Sequence, residues 1–170
     1  MMTTVRADAP PVLEDLYREH YASLVRLAAM LVDDVATCEE VVQDAFVAIH
    51  RRGLENVPAD RIPAYLRSAV LNGARSQLRK RHVRRQLRAV PPTPAQPSPE
   101  RGAELHQQQQ IVLDALRSLS DRQRDVLVLR YWMELSETEI AETLDISPGT
   151  VKTHAKRGLE ALATRLEDLR

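Results

Sequence analysis

The sequence predicts an all-α protein made of two small helical domains joined by a proline-rich linker. Strong helix formers are abundant, whereas aromatic residues make up 4% of the chain and there are only 5 glycines. Apolar residues recur at helical spacing on both sides of the stretch RAVPPTPAQPSPERGAE, residues 88–104, which holds five of the ten prolines. We therefore predict domains over residues 12–88 and 108–170 and a flexible linker over residues 89–107. A long loop inside one domain is the less favoured alternative, because structureless loops of this length are uncommon in compact folds.

The first domain is predicted to contain three helices. Leucine and other apolar residues recur every three or four positions over residues 13–31. Thr37 and Glu40 have the spacing of a capping box, which predicts the start of the second helix. Two prolines then interrupt the pattern over residues 53–63.

The third helix begins near Pro63 and runs into a basic stretch. Residues 67–88 contain eight Arg or Lys and no acid, although the chain as a whole carries 24 bases and 24 acids. Gly73 lies inside this helix, where glycine costs ~1 kcal/mol relative to alanine, so the sequence leaves open whether the helix is unbroken there. The basic stretch alone fits a solvated surface as well as a site for a polyanion.

The second domain is predicted to contain four helices. The first ends near Leu119, and N-terminal signals mark the other three starts: Ser120 with Gln123, Ser136 with Glu139, and Ser147 with Pro148.

The last two helices have the pattern of a helix-turn-helix, whose second helix lies in the DNA major groove. Small Ala141 stands where the helices must approach, and Asp145 takes the turn position that glycine often holds, because Asp tolerates a left-handed backbone. On the last helix we predict that Val151, Ala155, Gly158, Leu159 and Leu162 face inward. The predicted outward set is Thr150, Lys152, Thr153, His154, Lys156 and Arg157, which are suited to phosphates and base edges. The alternative is a helical hairpin that only packs.

The sequence offers no constellation for catalysis, metal binding or a cofactor. There is no phosphate-binding glycine loop and no nucleophile elbow, and the five histidines lack metal-ligand spacing. Cys38 is the single cysteine, so an intrachain disulfide is excluded. No segment resembles a signal peptide or a membrane span. We therefore expect a cytoplasmic protein that is not an enzyme, needs no cofactor and does not contact membranes.

Two motifs resemble the extracytoplasmic-function (ECF) sigma factors, the smallest members of the main bacterial sigma family. EEVVQDAFVAIHR, residues 39–51, resembles the core-binding region of that family. LSDRQRDVLVLRYWMELSETEIAETLDISPGTVKTHAKRGLEAL, residues 119–162, resembles its C-terminal domain almost end to end. The resemblance implies a transcription-initiation factor that binds core RNA polymerase, recognises the −35 and −10 promoter elements and promotes promoter melting.

The resemblance also implies roles for individual residues. Glu40, Gln43 and Asp44 match the segment that docks on the clamp helices of the largest polymerase subunit. The residues matched to −10 DNA are Tyr65, Asn72, Arg75, Arg79, Lys80 and Arg81, and the loop 53–63 matches the one that holds a flipped-out base. Those matched to the −35 element are Thr150, Lys152, Thr153, Lys156 and Arg157. The chain departs from the family pattern at Tyr65, Leu71 and Ser76, where Trp, Arg and Asp are common.

The implied partners are core polymerase, including the flap of its second-largest subunit, and promoter DNA. The free protein is expected to be a monomer that associates with the nucleoid only as part of holoenzyme, and the resemblance leaves control by an anti-sigma factor open. Two alternatives remain. One is a self-sufficient helix-turn-helix repressor or activator, which would bind DNA as a symmetric dimer. The other is an adaptor that binds only proteins.

Overall fold

The computed structural model describes residues 12–32, 34–87 and 103–168, and these residues contain helices and turns without a strand. The helices are α1 (Leu13–Ala29), α2 (Val35–Arg52), α3 (Ile62–Leu87), α4 (Ala103–Ser118), α5 (Asp121–Leu127), α6 (Glu137–Leu144) and α7 (Pro148–Asp168). Two short 3-10 turns, Leu54–Asn56 and Ala59–Arg61, lie between α2 and α3. The predicted all-α fold is confirmed. We refer to residues 12–87 as the first lobe and to residues 103–168 as the second lobe.

Helical structure begins inside the range predicted for the linker. α4 starts at Ala103, five residues before the predicted boundary of the second domain. The other linker residues, 89–102, lie outside the described part of the chain, as do Arg88 and the last two residues of the second domain.

The start of α2 differs from the predicted capping box. Asp34 is the N-cap: its Oδ1 accepts a hydrogen bond from the backbone N–H of Thr37 at 2.8 Å, and its Oδ2 accepts one from the Thr37 hydroxyl at 2.7 Å. These bonds lower the pKa of Asp34. The prediction that Thr37 caps the helix was wrong, because the carboxylate three residues earlier already satisfies the N–H that a cap would bind.

α3 runs unbroken through Gly73. A Cβ at this position would lie 3.0 Å from Cγ1 of Val41, a buried residue of α2. The missing side chain lets the backbones of α2 and α3 approach closely, and this packing offsets the low helix propensity of glycine.

In the second lobe, α5 begins where the sequence predicted but without the predicted capping box. Ser120 is the N-cap residue, yet its side chain makes no capping hydrogen bond. Gln123 faces α7 instead, since its Cβ lies 3.4 Å from a Cβ built on Gly158. After Leu127 the helix widens into a π-helical turn, Val128–Trp132.

The two lobes pack against each other. α3 contacts α6, and one continuous cluster of buried apolar residues draws members from both lobes. Met30, at the end of α1, also packs against a smaller cluster formed by Leu116, Leu119 and Leu127. None of the described helices is both long and apolar enough to cross a membrane.

Candidate nucleic-acid and polymerase interface

The helix-turn-helix is built as the sequence predicted. Ser136 Oγ accepts a hydrogen bond from the N–H of Glu139 at 3.3 Å, and the N–H of Ser136 donates to Glu139 Oε2 at 2.8 Å, which completes a capping box for α6. The Ser136 hydroxyl also donates to Glu139 Oε2 at 2.7 Å, and this bond, together with the one from the Ser136 backbone N–H, lowers the pKa of Glu139. Asp145 ends α6 in the left-handed conformation with φ 53°, so the prediction for this turn is also confirmed.

One apolar stripe holds α7 against the other helices of the second lobe. Val151, Ala155 and Gly158 are buried, and Gly158 lets Leu127 of α5 approach so closely that a Cβ would lie 3.1 Å from Leu127 Cδ1. Leu162 is partly buried as predicted. Leu159, in contrast, is 43% exposed, so its predicted inward position was wrong. The close contact at Gly158 turns that side of the helix toward α5 and leaves the neighbouring position outside.

The opposite side of α7 presents a basic surface. Lys152, Thr153, Lys156 and Arg157 are exposed, whereas Thr150 is half-buried. The Nζ atom of Lys152 lies 3.5 Å from Oε2 of Glu137, and that of Lys156 lies 4.0 Å from Oε1 of Glu160. Exposed ion pairs of this kind contribute at most ~1 kcal/mol. An approaching phosphate can therefore replace either carboxylate at small cost.

Glu40, Gln43 and Asp44 form an exposed polar face on α2. Their three- and four-residue spacing places them on one side of the helix, opposite the buried Val42 and Phe46. The structure therefore brings the three predicted polymerase-binding residues together.

A groove of about 340 Å³ separates part of α2 from α3. Its lining includes Tyr65 and Asn72, two of the residues matched to −10 DNA, and also Asp44. The guanidinium of Arg52 lies 5.5 Å from the centroid of the Tyr65 ring. The groove thus joins the predicted polymerase-binding face to the predicted −10 surface.

The cations of α3 have two different environments. Arg79, Lys80 and Arg81 are exposed near the end of the helix. Arg75 is directed toward the second lobe, where its Nη2 donates to Oδ2 of the fully buried Asp125 while its Nη1 donates to Oδ1 of Asn72 at 3.0 Å. Burial lowers the pKa of Arg75.

Two contacts between the lobes were not predicted from the sequence. One is the Arg75–Asp125 pair, and the other is a 3.1 Å hydrogen bond from Nε of Arg67 to the hydroxyl of Thr143. Their partners are 50 and 76 residues apart, and helical periodicity carries no information about such distant pairs. Among the described residues, no group of three His, Cys, Asp or Glu side chains could hold a metal ion.

Comparison with known proteins agrees with this architecture. Residues 109–162 match the family described as Sigma-70, region 4. The RNA polymerase sigma-E factor of Streptomyces coelicolor is 32% identical over 90% of this chain and 85% of its own length. The ECF RNA polymerase sigma factor SigL of Mycobacterium tuberculosis is 30% identical over 93% of this chain and 90% of its own length.

Solved structures share the same fold. CnrH, solved in complex with the cytosolic domain of CnrY, has a TM-score of 0.69 at 25% identity and covers 92% of this chain and 88% of its own. The sigma factor RpoE of Bartonella quintana, solved with the anti-sigma factor NepR, has a TM-score of 0.66 at 23% identity. It covers 92% of this chain and 99% of its own. Together with the helix-turn-helix and the sequence relatives, these likenesses show that the chain belongs to the ECF group of RNA polymerase sigma factors, a family of transcription-initiation factors.

Proposed function

We propose that this sigma factor directs core RNA polymerase to promoters by reading the −35 element with α7 and the −10 element with α3, and that it promotes melting at the −10 element. The observation that carries the proposal is the exposed basic side of α7 on a capped helix-turn-helix. The buried stripe of α7 fixes the helix against the rest of the second lobe, so the positions from which its outward side chains extend are fixed as well.

At the −35 element, α7 would enter the major groove. Lys152, Lys156 and Arg157 would contact phosphates and guanine edges, and Thr153 would contact phosphate or a thymine methyl group. Glu137 and Glu139, in the first turn of α6, would repel DNA in the groove. This charge difference supports α7 as the reading helix.

At the −10 element, the groove between α2 and α3 would accept an unstacked base of the non-template strand. Tyr65 supplies an aromatic face and Asn72 supplies both a hydrogen-bond donor and an acceptor. Capturing a base there would offset part of the cost of unpairing it, which gives a physical route to melting. The exposed cations Arg79, Lys80 and Arg81 would hold the adjoining backbone.

Core polymerase would bind chiefly through Glu40, Gln43 and Asp44 on the clamp helices of its largest subunit, with a second contact between the flap and the second lobe. Neither DNA-binding helix then needs high affinity alone, because the polymerase holds both at the right separation and raises their effective concentration. We further propose that the protein acts in the cytoplasm, as a monomer when free. RpoE was solved with an anti-sigma factor, and we propose the same class of partner as a regulator here.

Holoenzyme assembly tests the polymerase contact. Replacing Asp44 with Lys places a positive charge on the exposed face of α2 and should weaken binding to core polymerase at least ~10-fold, in line with the cost of disrupting a charged contact at an interface. Glu167→Lys is the matched control, because Glu167 is an exposed acid at the far end of α7. Unchanged binding by the Asp44 variant in fluorescence anisotropy would exclude this face as the docking site.

A further inference from the structure

We propose that an ion pair between Arg75 of the first lobe and Asp125 of the second lobe holds the free protein in a closed state, in which the two lobes are packed together. In this state Asp125 binds the guanidinium group that would otherwise bind a DNA phosphate. This inference rests on the proposed assignment of α3 to −10 DNA. It adds that α3 cannot bind −10 DNA through Arg75 until the lobes separate.

The pair lies at the interface between the lobes. The Arg75 side chain is 16% exposed and the Asp125 side chain 0% exposed. Two turns earlier on α3, Arg67 bonds to Thr143 of α6. Both cations sit on the side of α3 that faces the second lobe, and neither is available to DNA in this arrangement.

The chemistry of the pair suits a reversible contact. Removing two charges from water costs several kcal/mol per ion unless the remaining hydrogen bonds are made. Within the described residues, neither Nε of Arg75 nor Oδ1 of Asp125 has a protein hydrogen-bond partner. The contact is therefore incompletely satisfied. Opening the lobes would hydrate Asp125 and allow a phosphate, which binds arginine in the same forked geometry as a carboxylate, to take its place.

The closed arrangement affects the two DNA-binding helices unequally. Lys152, Lys156 and Arg157 of α7 stay exposed, whereas Arg75 is occupied. Polymerase that holds the lobes apart would release Arg75 at the same time as it presents α3 to the promoter. Free protein, in contrast, would bind single-stranded DNA poorly, since its apparent affinity is reduced by the fraction of open molecules.

Small-angle X-ray scattering of the full chain tests the closed state without reference to transcription. Asp125→Asn and Arg75→Gln break the pair from opposite lobes, and each should raise the radius of gyration above the wild-type value. Asp114→Asn is the matched control, because Asp114 pairs with Arg117 on its own helix and is 60% exposed. Unchanged dimensions in both pair variants, or equal expansion in the control, would overturn the proposal.

A variant in which the two charges are exchanged distinguishes loss of the ion pair from a general folding defect. If Asp125→Asn loses helical circular dichroism, the double variant Arg75→Asp with Asp125→Arg should restore both helicity and the compact dimensions. Failure of the exchange to restore them, when each single change disrupts them, would show that the residues act separately and would contradict the proposal.

Binding of a fluorescein-labelled single-stranded oligonucleotide of mixed sequence separates this inference from the proposed function. Asp125→Asn should bind the oligonucleotide at least about fivefold more tightly than wild type, because a larger fraction of the molecules is open. It should also bind more tightly than Asp114→Asn. Arg75→Gln should expand without this gain, because it lacks the cation. If both pair variants expand and neither binds the oligonucleotide more tightly, the closed state is supported. The proposed assignment of α3 to −10 DNA is then contradicted.

Discussion

The two helices assigned to promoter DNA, α7 and α3, differ in how their cations are held. On α7 the cations of the reading surface are exposed, with weak pairs to Glu137 and Glu160. On α3 the exposed cations lie near the end of the helix, while Arg75 is bound by the other lobe. A basic helix is thus not by itself an available DNA-binding surface, and its accessibility depends on which lobe covers it.

The largest effect is expected on α7, the helix whose cations are exposed. Lys156→Glu with Arg157→Glu should lower transcription from a −35-dependent promoter by ~10-fold or more, because lost base or phosphate contacts cost ~1–3 kcal/mol each. Run-off transcription with core polymerase measures the change. Arg165→Glu, an exposed reversal further along α7, is the control. Equal losses from both variants would mean that overall charge, not the reading surface, sets activity.

A smaller effect is expected in the groove of the first lobe. Asn72→Ala should reduce the formation of melted promoter complexes by ~5-fold, because it removes about one hydrogen bond to a captured base and such a bond contributes ~1 kcal/mol. Permanganate reactivity of unpaired thymines reports melting. Gln77 is an amide on the same helix that lines a different cavity, so Gln77→Ala should leave melting unchanged. If both variants melt DNA like wild type, the groove does not hold the base.

The close approach of α2 and α3 predicts a stability effect. Gly73→Ala should lower the free energy of unfolding by about 1 kcal/mol, because overpacking against Val41, at ~2 kcal/mol, outweighs the gain of ~1 kcal/mol in helix propensity. Gly149→Ala is the matched control on α7, where a Cβ would meet its nearest atom at 3.9 Å; it should raise stability by up to ~1 kcal/mol. Urea unfolding measures both. A Gly73 variant as stable as wild type would show that the interface has room for a methyl group.

The smallest effect concerns the capping box of α6. Its hydrogen bonds hold the pKa of Glu139 below the ordinary value of 4.5, so the charged cap stabilises the fold fully above that value. The stabilisation is lost as the pH falls through the lowered folded-state pKa. Ser136→Ala should move the pKa of Glu139 back toward 4.5 in a carboxyl NMR titration, whereas Thr138→Ala, an exposed change in the same turn, should not. An unmoved pKa in the Ser136 variant would assign the shift to another cause.

Local features of the structure could be predicted from the sequence, and contacts between distant residues could not. The capping box at Ser136 and the left-handed Asp145 depend on a few neighbouring residues, and both were predicted. The start of α2 was misplaced because Asp34 and Thr37 are both good capping residues, and only the structure shows which one bonds the free N–H.

The pairing of Arg75 with Asp125 had no comparable signal. The two residues meet only because the lobes pack together. From the sequence of its own helix alone, each residue would be predicted to be a solvated charge. The exposure of Leu159 has a similar origin, since it depends on how closely α5 approaches Gly158.

Run-off transcription with purified bacterial core polymerase on a genomic promoter library tests the central claim most directly. With this protein added, we predict initiation that depends on polymerase and maps to promoters sharing two spaced sequence elements. The contradicting result is a protein that neither binds core polymerase nor redirects initiation, yet shifts duplex DNA on its own as a dimer. That outcome would replace the sigma account with that of a self-sufficient repressor or activator.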